Sequence, residues 1–341
     1  MVVRGVNGAR CLGPHIATFS AGTIEKAPTL PKLVTIAALG ETHLAFGILS
    51  VIALLFAFWL LAEPLRIHFR RQRLRKQVFP SKWREILRQR VPSIRRLPAD
   101  LQLQLKKHIQ VFIAEKPFIG CDGLVVTDEM RVTIAAQACL LILNRTAHYY
   151  PRLKQILIYP GPFIVVREQA DDIGLMSQNR KVLSGESWTH GQVILSWTDV
   201  LHGAAVADDG HNVVIHEFAH QLDQEKGYAN GAPSLLMRQR HRRWSSVLGN
   251  EFATFQAQVR TGQPSLFDPY GAINPAEFFA VISEVFFEQP QRMAAEHPLL
   301  YRELGTLYPD FDTFEAHFSV TPSNSAGFRA SIRQNPRYMD C

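Results

Sequence analysis

His216-Glu217-Phe218-Ala219-His220 places two imidazoles four residues apart, with a carboxylate beside the first. On an α-helix such histidines project from one face, about 40° apart, so both rings reach a single cation. Neutral imidazoles at this spacing supply two ligands of a tetrahedral zinc site. Glu217 points about 100° away from His216, close to the metal's water without being forced to ligate. A zinc-bound water titrates near pH ~7, and a neighbouring carboxylate takes its proton as it attacks a carbonyl. The chemistry indicated is hydrolysis of a peptide or protein substrate at one Zn2+, with Glu217 as general base. The competing reading is two helix histidines that happen to flank an acid. The context weighs against it: Asp208 or Asp209 offers a cap, Val213, Val214, Ile215 and Phe218 are apolar, and Gly227 supplies a stop.

A catalytic zinc needs a third protein ligand and an open position. Candidates lie downstream in Asn274-Pro275-Ala276-Glu277, followed by Phe278, Phe279 and Glu284. Asn274 reads as a helix N-cap and Pro275 as the first helical residue, which gives Glu277 an alternative role as a capping-box acid. Glu277 and Glu284 are seven apart and share a face of an otherwise apolar helix, where an acid needs a partner. Spacing alone leaves open which of the two ligates. Asp223, seven residues after His216, either orients a ligand histidine or is a surface acid at the helix end. His190, His202, His211, His241 and His297 stand outside the helical pair and are weaker candidates.

The elements that must carry these residues alternate in type. Residues 101–114 read as an amphipathic helix and 132–143 as a buried one. Strands are expected at 155–159, 162–167 and 191–197, and helices at 212–224 and 275–288. The pattern is that of a mixed α/β or α+β domain. The 191–197 strand, GQVILSW, is either an edge that pairs with an extended peptide or an internal strand.

Upstream, residues 44–62 form an apolar run without a charge, LAFGILSVIALLFAFWLLA. As a helix it spans roughly 28 Å, the thickness of a bilayer's hydrocarbon. We read it as a transmembrane helix, with a poorly ordered tail at 1–43. A basic juxtamembrane linker follows at 63–96, then a catalytic domain at 97–320 and a C-terminal tail at 321–341. Twelve Lys or Arg against one acid, Glu85, give residues 66–96 a balance of +11, whereas the whole chain carries +7. The rest is therefore mildly acidic, which argues against a nucleic-acid partner. The same asymmetry places the catalytic domain on the cytoplasmic side of the inner membrane. Cys11, Cys121, Cys139 and Cys341 form no C-x-x-C pair, so neither a thiolate metal site nor a disulfide framework is expected.

At HEFAHQLD and NPAEFFAVISEVFFEQP, and through ILIYPGPFIVV and DDIGLMSQNRKVLSGESWTHGQVILSW, the chain resembles the Mlc titration factor A family of zinc peptidases. The resemblance covers roughly residues 80–317. It implies a zincin-like fold similar to the core of anthrax lethal factor, with His216, His220 and Glu277 as zinc ligands and Glu217 catalytic. Glu284 then becomes an outer acid supporting a ligand, and Tyr270 matches a tyrosine that stabilises the oxyanion. The resemblance also implies aminopeptidase activity on small substrates, or alternatively the sequestering of a transcriptional regulator such as an Mlc-like glucose repressor. The apolar span and basic linker depart from the family's soluble enteric member.

Overall fold

The computed structural model describes residues 32–143, 149–170, 176–183, 185–188, 191–227, 229–233 and 238–308. Positions 1–31 of the expected N-terminal tail and all of the C-terminal tail lie outside them. The chain divides into two compact units, Met1–Arg66 and Ile67–Cys341.

In the first unit, α1 (Lys32–Leu61) begins well before the apolar run, because helix-forming Leu33, Ala37, Ala38 and Leu39 carry the helix upstream of it. Its large apolar side chains from Phe46 to Leu61 are exposed, among them Phe46 at 69%, Leu54 at 70% and Phe58 at 71%. Arg66 stacks over the Trp59 ring at 4.5 Å and donates to the Trp59 carbonyl at 3.0 Å. Among the described residues no single helix is long and apolar enough to cross a membrane. Phe46–Leu61 and Glu63–Lys76 pass that test only as a pair.

The second unit is a mixed helical fold around a small, mostly parallel sheet. In chain order it contains the end of α2 (Glu63–Lys76), α3 (Ser81–Arg90), α4 (Ala99–Glu115), β1 (Phe118–Gly120) and α5 (Asp128–Leu140). There follow β2 (Gln155–Tyr159), β3 (Phe163–Ala170), β4 (Met176–Leu183), β5 (Gly185–Trp188) and β6 (Gln192–Ser196). The remainder is helical: α6 (Trp197–Ala205), α7 (Val213–Asp223), α8 (Arg238–Arg260), α9 (Pro275–Glu288), α10 (Pro290–Glu296) and α11 (Pro298–Leu307). The sheet order is β1-β2-β6-β5, with β1, β2 and β6 parallel and β5 antiparallel to β6. The GQVILSW strand is thus internal, and its buried Val193 and Leu195 fit a strand covered on both faces. The sheet's edges are β1 and β5, and β5 lies against α7. β3 and β4 pair separately as an antiparallel ribbon.

The segment expected as a linker is part of this unit from Ile67 onward. Ile86 and Leu87 of α3, with Val91 and Ile94 beyond it, enter the same core as α4 and α5. Arg71 forks onto both carboxylate oxygens of Glu115 at 2.7 and 2.8 Å, and Arg75 donates to the Tyr149 hydroxyl at 3.1 Å. An apolar stripe on a short basic helix is cheaper to bury than to expose, and the bidentate pair fixes the approach.

Two helices form the centre of the unit, α7 and α9, and both are buried along most of their length. Phe218 of α7 packs against Tyr150 and Phe112 at ring separations of 4.8 and 5.7 Å. On α9, Phe278 stacks on Phe255 at 5.5 Å and Phe279 meets Trp244 edge-on at 5.8 Å. Glu288, in the last turn of α9, accepts the Gly210 amide at 2.9 Å and the Asn212 side-chain amide at 3.0 Å. Burial pushes its carboxyl up to about 9; the Asn212 hydrogen bond opposes this, and nearby Asp209 and Glu284 reinforce it. A raised folded pKa contributes stability that is complete below the unfolded value of about 4.3 and is lost as pH rises through the folded one. Unfolding midpoints of the wild type should therefore decline from about pH 5 to about pH 9, with a component missing in Glu288→Gln whatever that variant's absolute stability. Parallel pH slopes in the two proteins would show that Glu288 is ionised in the fold.

Candidate metal centre

α7 starts where it does because Asn212 adopts an extended backbone and turns its Oδ1 to accept the Ile215 amide at 3.0 Å. Asp208 and Asp209, expected as caps, stand too far upstream to reach that amide, and Asp209 instead accepts from the His211 amide at 3.0 Å. The Asn212 side-chain amide is also within 2.9 Å of Gln137 Oε1 and 3.0 Å of the Gly203 carbonyl. α9 starts as the sequence predicts: Asn274 Oδ1 accepts the Ala276 and Glu277 amides at 2.9 and 3.0 Å, with Pro275 in the first turn. Asn274 does the capping, and the Glu277 carboxylate turns towards α7.

There it meets both histidines. Glu277 Oε2 lies 3.1 Å from His216 Nε2 and 3.2 Å from His220 Nε2. The two imidazole rings stand 4.9 Å apart at 80° to one another. One donor atom from each of the three residues falls within 4.8 Å of the others, and among the described residues this is the group that could hold a metal ion. Donors bound at about 2.0–2.1 Å around a tetrahedral zinc lie about 3.3 Å from each other, so these separations are close to the edges of such a cage. The side chains are 13%, 10% and 19% exposed, which shields the charges while leaving an opening to solvent.

The electrostatics favour a cation here. Burial opposes charge on His216, yet Glu284, Glu277 and Glu217 together raise its pKa well above the ordinary histidine value. Burial would also raise Glu277, but hydrogen bonds and charge from the two imidazoles hold it well below the usual carboxylate range. A pocket that stabilises a proton among these groups suits a divalent ion, whose binding would displace that proton.

Behind these three residues, Glu284 is buried and accepts from His216 Nδ1–H at 2.8 Å through Oε1 and from the Asn212 amide at 2.5 Å through Oε2. Its first bond fixes the ring so that Nε2 faces Glu277. Glu217 is also buried, one residue along α7 from His216. Asp223 sits near His220 but accepts the Gly231 amide at 2.7 Å through Oδ2, holding the turn beyond α7. Gly231 has φ +76°, and a Cβ there would lie 2.5 Å from the Pro275 carbonyl oxygen, so this turn abuts the start of α9. Tyr270, in the 3-10 turn Pro269–Ala272, is 45% exposed, with its ring 6.0 Å from that of His216. His202, His211, His241 and His297 stay out of the group, and His190 lies outside the described residues.

Loss of the Glu284 charge should loosen His216 without removing a ligand. Glu284→Gln is expected to weaken zinc binding about 10- to 100-fold in competition with a chromophoric chelator, while far-ultraviolet circular dichroism is retained. Unchanged zinc affinity would remove Glu284 from the centre.

Residues 66–309 match the family model described as glucose-regulated metallo-peptidase M90. An uncharacterized protein of Synechocystis sp. is 39% identical over 262 residues, covering 76% of this chain and 94% of that protein. Proteins named Mlc titration factor A from Yersinia pestis and Yersinia pseudotuberculosis are 33% identical over 231 residues, covering 67% of this chain and 84% of theirs. With a family match over most of its length and a His-His-Glu group in its core, the chain belongs to the glucose-regulated metallo-peptidase M90 family.

Proposed function

We propose that the chain is a zinc-dependent peptidase that hydrolyses peptide bonds, with aminopeptidase-like action on small substrates. The observation that carries this reading is the convergence of His216, His220 and Glu277 within 3.1–3.2 Å of one shared carboxylate oxygen, with Glu217 buried alongside. These three residues would hold the metal; when bound, zinc supplies the charge that acidifies a water and polarises a carbonyl. Glu217 takes the proton of the attacking water and passes it to the leaving amine. Tyr270, facing His216 from an exposed turn, donates to the oxygen on which charge develops. Burial of Glu217 and Glu284 lowers the local dielectric and strengthens each of these contacts. The β5 edge beside α7 offers backbone groups to which an extended peptide adds as a further strand.

The exposed apolar side chains of Phe46–Leu61 are costly in water and support insertion of residues 44–62 into the inner membrane as a single span. The basic residues that follow favour a cytoplasmic catalytic unit. A second reading draws on the name of the Yersinia relatives, Mlc titration factor A: the unit binds a repressor of the Mlc kind, and catalysis is incidental.

Glu217→Gln separates the two readings. It should retain zinc and lose peptide hydrolysis by about 10²–10⁴-fold; equal hydrolysis in variant and wild type would remove Glu217 from the chemistry. Full biological effect in that variant would favour the repressor-binding reading. Tyr270→Phe should lower kcat by about tenfold to a hundredfold with little change in KM, as expected for a donor that acts in the transition state. A rise in KM alone would assign Tyr270 to substrate binding.

A further inference from the structure

On the second unit, away from the histidines, α3, the 3-10 turn Pro92–Arg96 and α4 enclose an open groove of about 440 Å³. Arg84, Arg88, Arg95 and Lys106 line it, Leu87 and Ile94 are among its apolar lining, and no carboxylate lines it. The cations of α3 sort by face. Lys82 and Arg90 are paired with Asp128 and Glu129 of α5. Among the described residues Arg84, Arg88, Arg95 and Lys106 have no acidic partner. Arg95 is held over the groove by donating to the Arg88 carbonyl at 3.3 Å, and Gln102 braces the turn through the Leu97 carbonyl at 2.8 Å.

Four like charges gathered from three elements without a counter-charge repel one another, and a bound anion relieves that repulsion. Guanidinium groups match the oxygens of a phosphate, and the apolar lining accepts the hydrocarbon next to it. Its size is in the range of small-ligand sites. The groove begins at Ser81, about twenty residues beyond the end of the apolar run at Ala62. Covalent attachment this close in sequence to an inserted span gives the groove a high effective concentration of lipid.

We propose that this groove binds the phosphate headgroup of an anionic phospholipid. The proposal rests on the reading of residues 44–62 as a membrane span, and the test separates the two. The full chain is reconstituted into nanodiscs of phosphatidylcholine alone or with phosphatidylglycerol, insertion is scored by resistance to alkaline extraction, and hydrogen exchange is followed over residues 81–106. Slower exchange of α3 and the Pro92–Arg96 turn in the anionic discs is expected. The combined Arg84→Gln, Arg88→Gln and Arg95→Gln variant should abolish that difference while keeping its zinc.

In a parallel titration with dihexanoyl phosphatidylglycerol below its micelle concentration, each cation removed should cost about fivefold in affinity. Equal exchange in both disc types, with no response to the short-chain lipid, would overturn the proposal. So would protection by inorganic pyrophosphate alone, which would mark a site for soluble phosphates. A chain that resists insertion in either disc yet binds the short-chain lipid through the three arginines would sink the span and leave the groove standing.

Discussion

Three carboxylates on one face of α9 set the terms for the interior of this protein. Glu277, Glu284 and Glu288 all point at α7 or at the segment that leads into it. Burying an acid costs free energy whether it is ionised, as Glu277 is, or held protonated, as burial holds Glu288, unless partners replace the lost hydration. The partners come from a single stretch of chain, residues 210–220, which supplies the amides of Gly210 and Asn212, the side chain of Asn212, and two imidazoles. Each interaction is shared. Asn212 caps α7 and also meets Glu288, and Glu284 steadies a ligand ring and also takes a backbone amide. The packing of the two helices and the assembly of the candidate metal site thus depend on one another, since the acids of α9 and the amides and imidazoles of residues 210–220 satisfy each other.

Much of this was legible because it is local. An H-E-x-x-H on an apolar helix, or an Asn-Pro opening another, speaks through spacings of three and four residues, and both helices occur where the pattern puts them. The long-range pairing was not legible from spacing. Glu277 and Glu284 are equally suited by position on the helix, and it was resemblance to a family that separated them; the geometry then places Glu277 on both imidazoles and Glu284 behind one. Asn212 was missed because nearby aspartates compete for the same cap by residue type, and distance to the second and third helical amides decides among them. By residue type alone Glu288 is indistinguishable from any acid at a helix end. Its position eleven residues after Glu277, on the same face, was the available sign.

The sheet shows a different limit. Gly185–Trp188 is too short and too polar to announce a strand, so the sequence leaves open whether its more apolar neighbour is an edge, and that neighbour lies between β2 and β5. A strand covered on both sides reads as a continuous apolar run, whereas an edge strand draws its stability from one partner and leaves little pattern. The basic stretch after the apolar run misled in a similar way. Its charges read as a linker, while Ile86 and Leu87 between them are core residues.

Gly231 gives the α7–α9 arrangement a hard stop. The turn beyond α7 approaches the first turn of α9 so closely that there is no room for a methyl group, and the Asp223 carboxylate pins that turn from the other side. The spacing between the helix ends that carry His220 and Glu277 is therefore set by main chain against main chain, which deforms far less readily than side chains that switch rotamer. What that contact fixes is the backbone: His220 and Glu277 start from main-chain positions that cannot draw closer, so any adjustment between them is left to side-chain rotamers.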